Sequence, residues 1–193
     1  MAENKVRFGL KNVYYAVLTE GSSNSWATPV AIPGAVSLVL DANVASEDFY
    51  ADNVTYYRTY ANNGYSGSLE VARFPDSMLT DVFGMTKDAT SKVIYEKTGV
   101  KPKPFALLFQ IDGDADDELN VLYRVLPAGK PTAGSSTTEA TATPTTQTCD
   151  ISARPLVTGA ATQLGLIKAR TSDDTPAATK TGWFSSVNVP AAA

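Results

Sequence analysis

The chain has 193 residues, 44% hydrophobic and 19% charged, with a net charge of −4. That make-up excludes wholesale disorder, suits a soluble globular chain long enough to bury a core, and offers nucleic acid phosphates little attraction. Histidine is absent, and with it Ser-His-Asp and Cys-His nucleophile activation and the commonest metal ligand.

The single cysteine, Cys149, cannot close an intramolecular disulfide, which points to assembly in a reducing, intracellular setting. The opening MAENKVRFG has no apolar signal-peptide core, and no apolar run approaches the roughly 20 residues of a membrane helix. A protein that is soluble when made is expected.

Residues 12–18, NVYYAVL, alternate with both faces fairly apolar, as in a strand covered on both sides. GSSNSW (21–26) is a loop by composition. From 36 to 44, Val36, Leu38, Leu40, Ala42 and Val44 form one face and Ser37, Val39, Asp41 and Asn43 the other, a half-buried strand. Six of the aromatics fall between Phe49 and Tyr65, interrupted by Asp52-Asn53 and by Asn62-Asn63-Gly64, which marks a tight turn. That segment reads either as a satellite cluster under a loop or as a contact surface for another subunit, since Tyr couples apolar area to a hydrogen bond.

Residues 65–74 predict the next strand, with Tyr65, Gly67, Leu69, Val71 and Arg73 on one face and Ser66, Ser68, Glu70, Ala72 and Phe74 on the other. Gly67 signals a bulge or a close backbone approach. A helix follows Pro75, capped by Asp76 or Ser77, apolar along Met78, Leu79, Val82 and Phe83, and stopped by Gly84. Further strands are expected at 92–97, 104–112, 119–126, 149–157, 164–170 and 182–189. The run 104–112 is apolar on both faces and should be central. A Thr/Ala/Pro-rich loop or insertion spans about 127–147, and 190–193 is a short tail. About nine strands and one helix predict a single domain over 1–193, mainly β: an antiparallel β-sandwich or barrel with one short flanking helix.

Chemistry is sparse. DGDADDEL (112–119) gathers Asp112, Asp114, Asp116, Asp117 and Glu118, and its start resembles a calcium loop. Its sixth position, however, is Asp117 where glycine belongs, and its twelfth is Tyr123 where a bidentate carboxylate belongs. A solvated hairpin turn is the better reading and a weak cation site the alternative. No Ser-x-x-Lys pair, nucleophile elbow, phosphate loop or dinucleotide fingerprint occurs. Cys149 opens a predicted strand as a buried, inert thiol. Neither enzyme nor cofactor is expected, although scattered carboxylates alone could still support glycosidase-type chemistry.

Taken together, GLKNVYYA (9–16), PVAIPGAVSLVLD (29–41), FYADN (49–53), GYSGSLEVARFPDSMLTDVFG (64–84), KPFALLFQIDGD (103–114) and ARPL (153–156) resemble the major tail (tail tube) protein of long-tailed bacteriophages, in its phi13-type group. FYADN followed by GYSGSLEVARFPD is the most specific part; the C-terminal third carries little of the likeness.

The resemblance implies the phage tail tube fold, a β-sandwich with a flanking helix and a long stacking loop. It implies sixfold rings whose inner strands make a continuous barrel, stacked into a tube for DNA ejection. It also implies a virion protein assembled in the host cytoplasm without catalytic residues. Its partners would be other copies of itself, the tape measure, tail terminator and baseplate or distal tail proteins, and DNA in transient, non-specific passage; a membrane is not among them.

Carried onto this sequence, the inter-ring contact falls on the loop 45–63, with Phe49, Tyr50, Asp52, Asn53, Tyr56, Tyr57 and Tyr60. The helix plug is Asp76, Met78, Leu79, Val82 and Phe83. Six copies at −4 each give an acidic ring, so a lumen poor in Lys and Arg is expected, with Asp41 and then Glu70 as its candidate residues. The alternative is a monomeric carbohydrate-binding or adhesin module using Tyr50, Tyr56, Tyr57, Tyr60 and Trp26 as a stacking platform.

Overall fold

The computed structural model describes residues 6–114, 117–132 and 144–191. The middle of the expected 127–147 loop, Asp116 of the carboxylate cluster and the end of the 190–193 tail lie outside those residues.

In chain order the strands are β1 (Arg7–Thr19), β2 (Ser25–Trp26), β3 (Val30–Ala31), β4 (Ala35–Ala51) and β5 (Val54–Val71), followed by helix α1 (Asp76–Asp81). Then come β6 (Thr86–Lys87), β7 (Ile94–Tyr95), β8 (Phe105–Gly113), β9 (Glu118–Pro127), β10 (Gln147–Ala153), β11 (Lys168–Arg170) and helix α2 (Ala177–Thr181). The protein is mainly β and its strand pairs are antiparallel, as expected.

One sheet runs in the order β2-β1-β8-β9-β10-β5-β4, with β11 added to β9 and β3 to β1. It folds over on itself, so that the inward side chains of both halves meet in one core. Val13, Tyr15, Phe105, Leu107, Phe109, Leu122 and Val125 come from the β1-β8-β9 half, and Leu69, Val71, Cys149 and Ile151 from β5 and β10. Phe74 and, from α1 and its C-cap, Met78 and Val82 plug one end of that core, with Leu79 and Phe83 half-buried beside them.

The outer face of β1-β8-β9 is apolar too. Ala16, Leu18, Ala106, Leu108, Val121 and Tyr123 are buried there under the chain that follows β10. Leu156 and Trp183 supply the cover, the Trp183 indole N–H donates to the Asn120 carbonyl at 3.3 Å, and Phe184 stacks on Tyr14 at 4.8 Å. Two covered faces explain why β8 and β9 read as continuous apolar runs. Among the described residues the β4-β5-β10 half has no such cover, and apart from Val39 its outward residues are polar.

Several expectations are corrected. The predicted strand 182–189 is instead a turn and irregular chain following α2, because Trp183, Phe184, Val187 and Val189 enter the outer cluster singly rather than with a period of two. The described residues hold eleven strands and two helices, not nine and one. Helix α1 ends at Asp81, short of Phe83, and its N-cap position is Pro75, so neither Asp76 nor Ser77 caps it. Gly84 does take the left-handed conformation, φ 72°.

The largest correction concerns residues 45–63, which are not a loop. They continue β4 and β5 as a hairpin, closed by Asp52 (φ 52°) and Asn53 (φ 60°). Two consecutive positive-φ residues of types that tolerate the left-handed region make a two-residue hairpin turn. Asn62-Asn63-Gly64 is therefore no tight turn but a bulge inside β5: Ala42 faces Tyr65 while Val44 faces Asn62. Gly64 carries it at φ 97°, and a Cβ there would stand 2.0 Å from the Ala153 carbonyl oxygen.

Candidate functional site

Beyond Ala42 and Tyr65 the β4–β5 ribbon leaves the sandwich as a free arm, about 30 Å long at roughly 3.3 Å per residue. Its sequence is rich in β-branched and aromatic residues (Val54, Thr55, Tyr56, Tyr57, Thr59, Tyr60), which suits an extended ribbon. Nothing from Val44 to Asn63 is buried.

Paired residues of the ribbon share a face. Phe49 opposes Tyr57 and Glu47 opposes Thr59 on one side; Asp48 opposes Arg58 and Ser46 opposes Tyr60 on the other. Tyr56 is the extra residue of a second bulge and is 74% exposed. Arg58 clasps Asp48 with two bonds, Nε at 2.6 Å and Nη2 at 3.0 Å, and those hydrogen bonds hold the Asp48 carboxyl below its ordinary range. An exposed pair of this kind contributes little stability; it fixes which residues face each other.

All seven residues predicted for inter-ring contact therefore lie on this arm. Phe49, Tyr50, Tyr56, Tyr57 and Tyr60 are exposed along it, and Asp52 and Asn53 form its tip. A two-stranded ribbon is marginal in water by itself, and this one presents large aromatics to solvent on both sides.

The arm's base is the uncovered sheet half. In register across its outer face stand Thr148, Glu70 and Ser37, then Asp150, Ser68 and Val39, then Ser152, Ser66 and Asp41. Asp41 and Glu70, predicted separately, share one polar wall with Asp150, and no Lys or Arg occurs among these registered positions. Hydrogen bonds donated by the Thr146 hydroxyl at 2.6 Å and the Ser37 hydroxyl at 3.0 Å keep the Glu70 carboxyl below its ordinary range. Ser66 donates to the Asn43 side chain at 3.1 Å. Asp150, missed by sequence reasoning, was legible as the outward neighbour of buried Cys149 and Ile151.

The described members of the carboxylate cluster lie at the end of β8, at the start of β9 and beside them, dispersed among other partners. Lys11 pairs with Asp112, Gln110 donates to Asp117 at 2.8 Å, and Arg7 (2.5 Å) and Arg170 (2.9 Å) both bind Glu118. Among the described residues no group of three or more His, Cys, Asp or Glu is arranged to hold a metal ion. Cys149 is buried, and burial, then neighbouring Asp150, pushes its thiol up to about 12. No helix of the described residues is long and apolar enough to cross a membrane.

Trp26 does not join the tyrosines. It sits on β2, packed 6.0 Å from the Tyr123 ring, with its indole N–H donated to the Tyr123 carbonyl at 3.0 Å. The five-residue stacking platform is thus not assembled. Neither a protein-family model nor a curated protein matches this chain.

Proposed function

We propose that the chain is a self-assembling structural subunit, a phage tail tube protein whose rings stack into the conduit for DNA ejection. The observation that carries this reading is the free arm. Phe49, Tyr50, Tyr56, Tyr57 and Tyr60 stand exposed on a ribbon that packs against nothing else among the described residues, an arrangement that becomes stable when another copy covers it. Among the described residues the outer edge of β4 pairs with no strand, which favours the same conclusion, since lateral association satisfies its backbone groups.

The wall bearing Asp41, Glu70 and Asp150 suits a lumen. Serine and threonine hydroxyls keep it wet, and its carboxylates repel phosphates, so DNA slides past without being held. A sugar-binding module draws less support, because Trp26 is engaged elsewhere.

Light scattering with negative-stain microscopy at rising concentration tests the proposal. Rings or tubes are expected; a monodisperse monomer at every concentration would overturn it.

A further inference from the structure

The arm leaves the sandwich at the end where Ala42, Tyr65 and Ala153 are in register, and the opposite end is marked by Ala35, Val71 and Gln147. At that opposite end a shallow groove of about 490 Å³ runs between the Pro33–Gly34 turn and residues 72–76. Pro33, Ala72 and Pro75 give it short, flat walls against which aromatic rings pack. Gly34 (φ 77°) lets the walls stay close: a Cβ there would stand 2.9 Å from that of Ala72. Arg73 stands at the rim with its side chain 79% exposed, 3.6 Å from Asp76.

The same end carries a surplus of cations even with Asp76 and Asp81 of α1 counted. The segment 86–103 is tied to α1 and its C-cap through Met85 N–H to Leu79 O (2.9 Å) and Lys103 N–H to Val82 O (2.8 Å). It brings Lys87, Lys92, Lys97, Lys101 and Lys103 against just two acids, Asp88 and Glu96, and Glu96 is already bound by Lys130. The arm has the opposite sign. Its one cation, Arg58, is engaged by Asp48, which leaves Glu47 on the Phe49–Tyr57 face and Asp52 at the tip as carboxylates without a cation among the described residues.

We infer that the arm of one copy seats its Phe49–Tyr57 face in the Pro33/Ala72–Pro75 groove of a second copy, with Glu47 against Arg73. This rests on the tube reading above and names the surface that receives the arm. Arm against arm sets acid against acid, so an isologous pair is disfavoured. An acidic arm on a basic far end is heterologous, and in the axial direction such a contact repeats without closing.

The test is a charge exchange. Arg73→Glu and Glu47→Arg, both at exposed positions, are expected to keep the monomer's circular dichroism. Each should raise the concentration needed for tube formation about tenfold, and the double variant should return to within about threefold of the parent. Parent tubes with Arg73→Glu assembling at the parent's concentration overturn the groove assignment and leave the tube reading standing. A parent that never associates overturns both. Two impaired single variants without rescue in the double overturn the Glu47–Arg73 pairing.

A cysteine pair gives a second readout. Glu47→Cys with Ala72→Cys should yield a ladder of covalent multimers on oxidation, with buried Cys149 out of reach. Tubes that run as a single monomer band after oxidation count against the inference.

Discussion

At Gly67 strands β5 and β4 of the polar wall come closer than any side chain permits: a Cβ there would stand 1.9 Å from the Val39 carbonyl oxygen. The obstacle is backbone, which cannot swing aside. Gly67→Ala should therefore destabilise the chain by about 3 kcal/mol, read as a lower urea midpoint. That close approach was legible, because a lone glycine in an alternating strand signals it. Gly64 was legible only in part: Asn-Asn-Gly marks positive φ, but a turn and a bulge use the same residues, and only the register of β4 against β5 separates them.

Glu118 was visible merely as one acid in a cluster. Burial pushes its carboxyl up, but the Asn120 amide, Arg170 and Arg7 outweigh that and hold it below the ordinary 4.5. A group lowered on folding contributes stability that is complete above its unfolded value and lost as pH falls through the folded one. The urea midpoint should be level from neutral pH to about 5, then fall below about 4.5. Glu118→Gln should shallow that fall and cost stability at pH 7, where Arg7 and Arg170 lose their shared partner. An acid limb unchanged in Glu118→Gln would show that other carboxylates govern it.

At the scale of elements, the arm is the feature whose aromatic composition was legible and whose shape was not. Composition located the aromatics but left open whether they pack under a loop or stand exposed, and the turn was assigned to Asn62-Asn63-Gly64 because Asn-Gly is the stronger hairpin signal. Asp52-Asn53 won because it lies midway between two segments that can pair along their whole length. The register also dictates how the arm can be removed. Cutting Phe49–Tyr60 takes unequal lengths from the two strands, whereas replacing 45–61 by Asn-Gly joins Val44 to Asn62, which already face each other. With no buried residue lost, the excised protein should keep its stability to within about 1 kcal/mol in urea while failing to form tubes. Excised protein that still forms full-length tubes would deny the arm its role.

For the whole molecule, the asymmetry between sheet halves matters most. The outer face of β1-β8-β9 is sealed by the chain after β10, and the outer face of β4-β5-β10 is bare. The bare face was legible from its alternation of apolar and hydroxyl-bearing residues. The seal was not, since Leu156, Trp183 and Phe184 are spaced by loops and obey no period. In the proposed rings of six the bare wall would set the potential felt by passing DNA. Asp41→Lys should leave ring and tube formation intact and slow DNA ejection severalfold by replacing repulsion with attraction. Ejection kinetics equal to the parent's would remove this wall from the lumen.

The ribbon of β4 and β5 is kinked three times: at Val36, which has no counterpart on β5, at residues 63–64, and at Tyr56. Beside these kinks runs the unpaired outer edge of β4. A long, straight, open edge would zip indiscriminately onto any extended segment, including its own kind in slipped register. A bent edge admits a neighbour only where the bends coincide; shifted by one or two residues, the newcomer meets a corner where it needs a straight ladder. The bulges thus act as a register lock, limiting the alignments in which a second copy's strand can add to this tyrosine-laden ribbon.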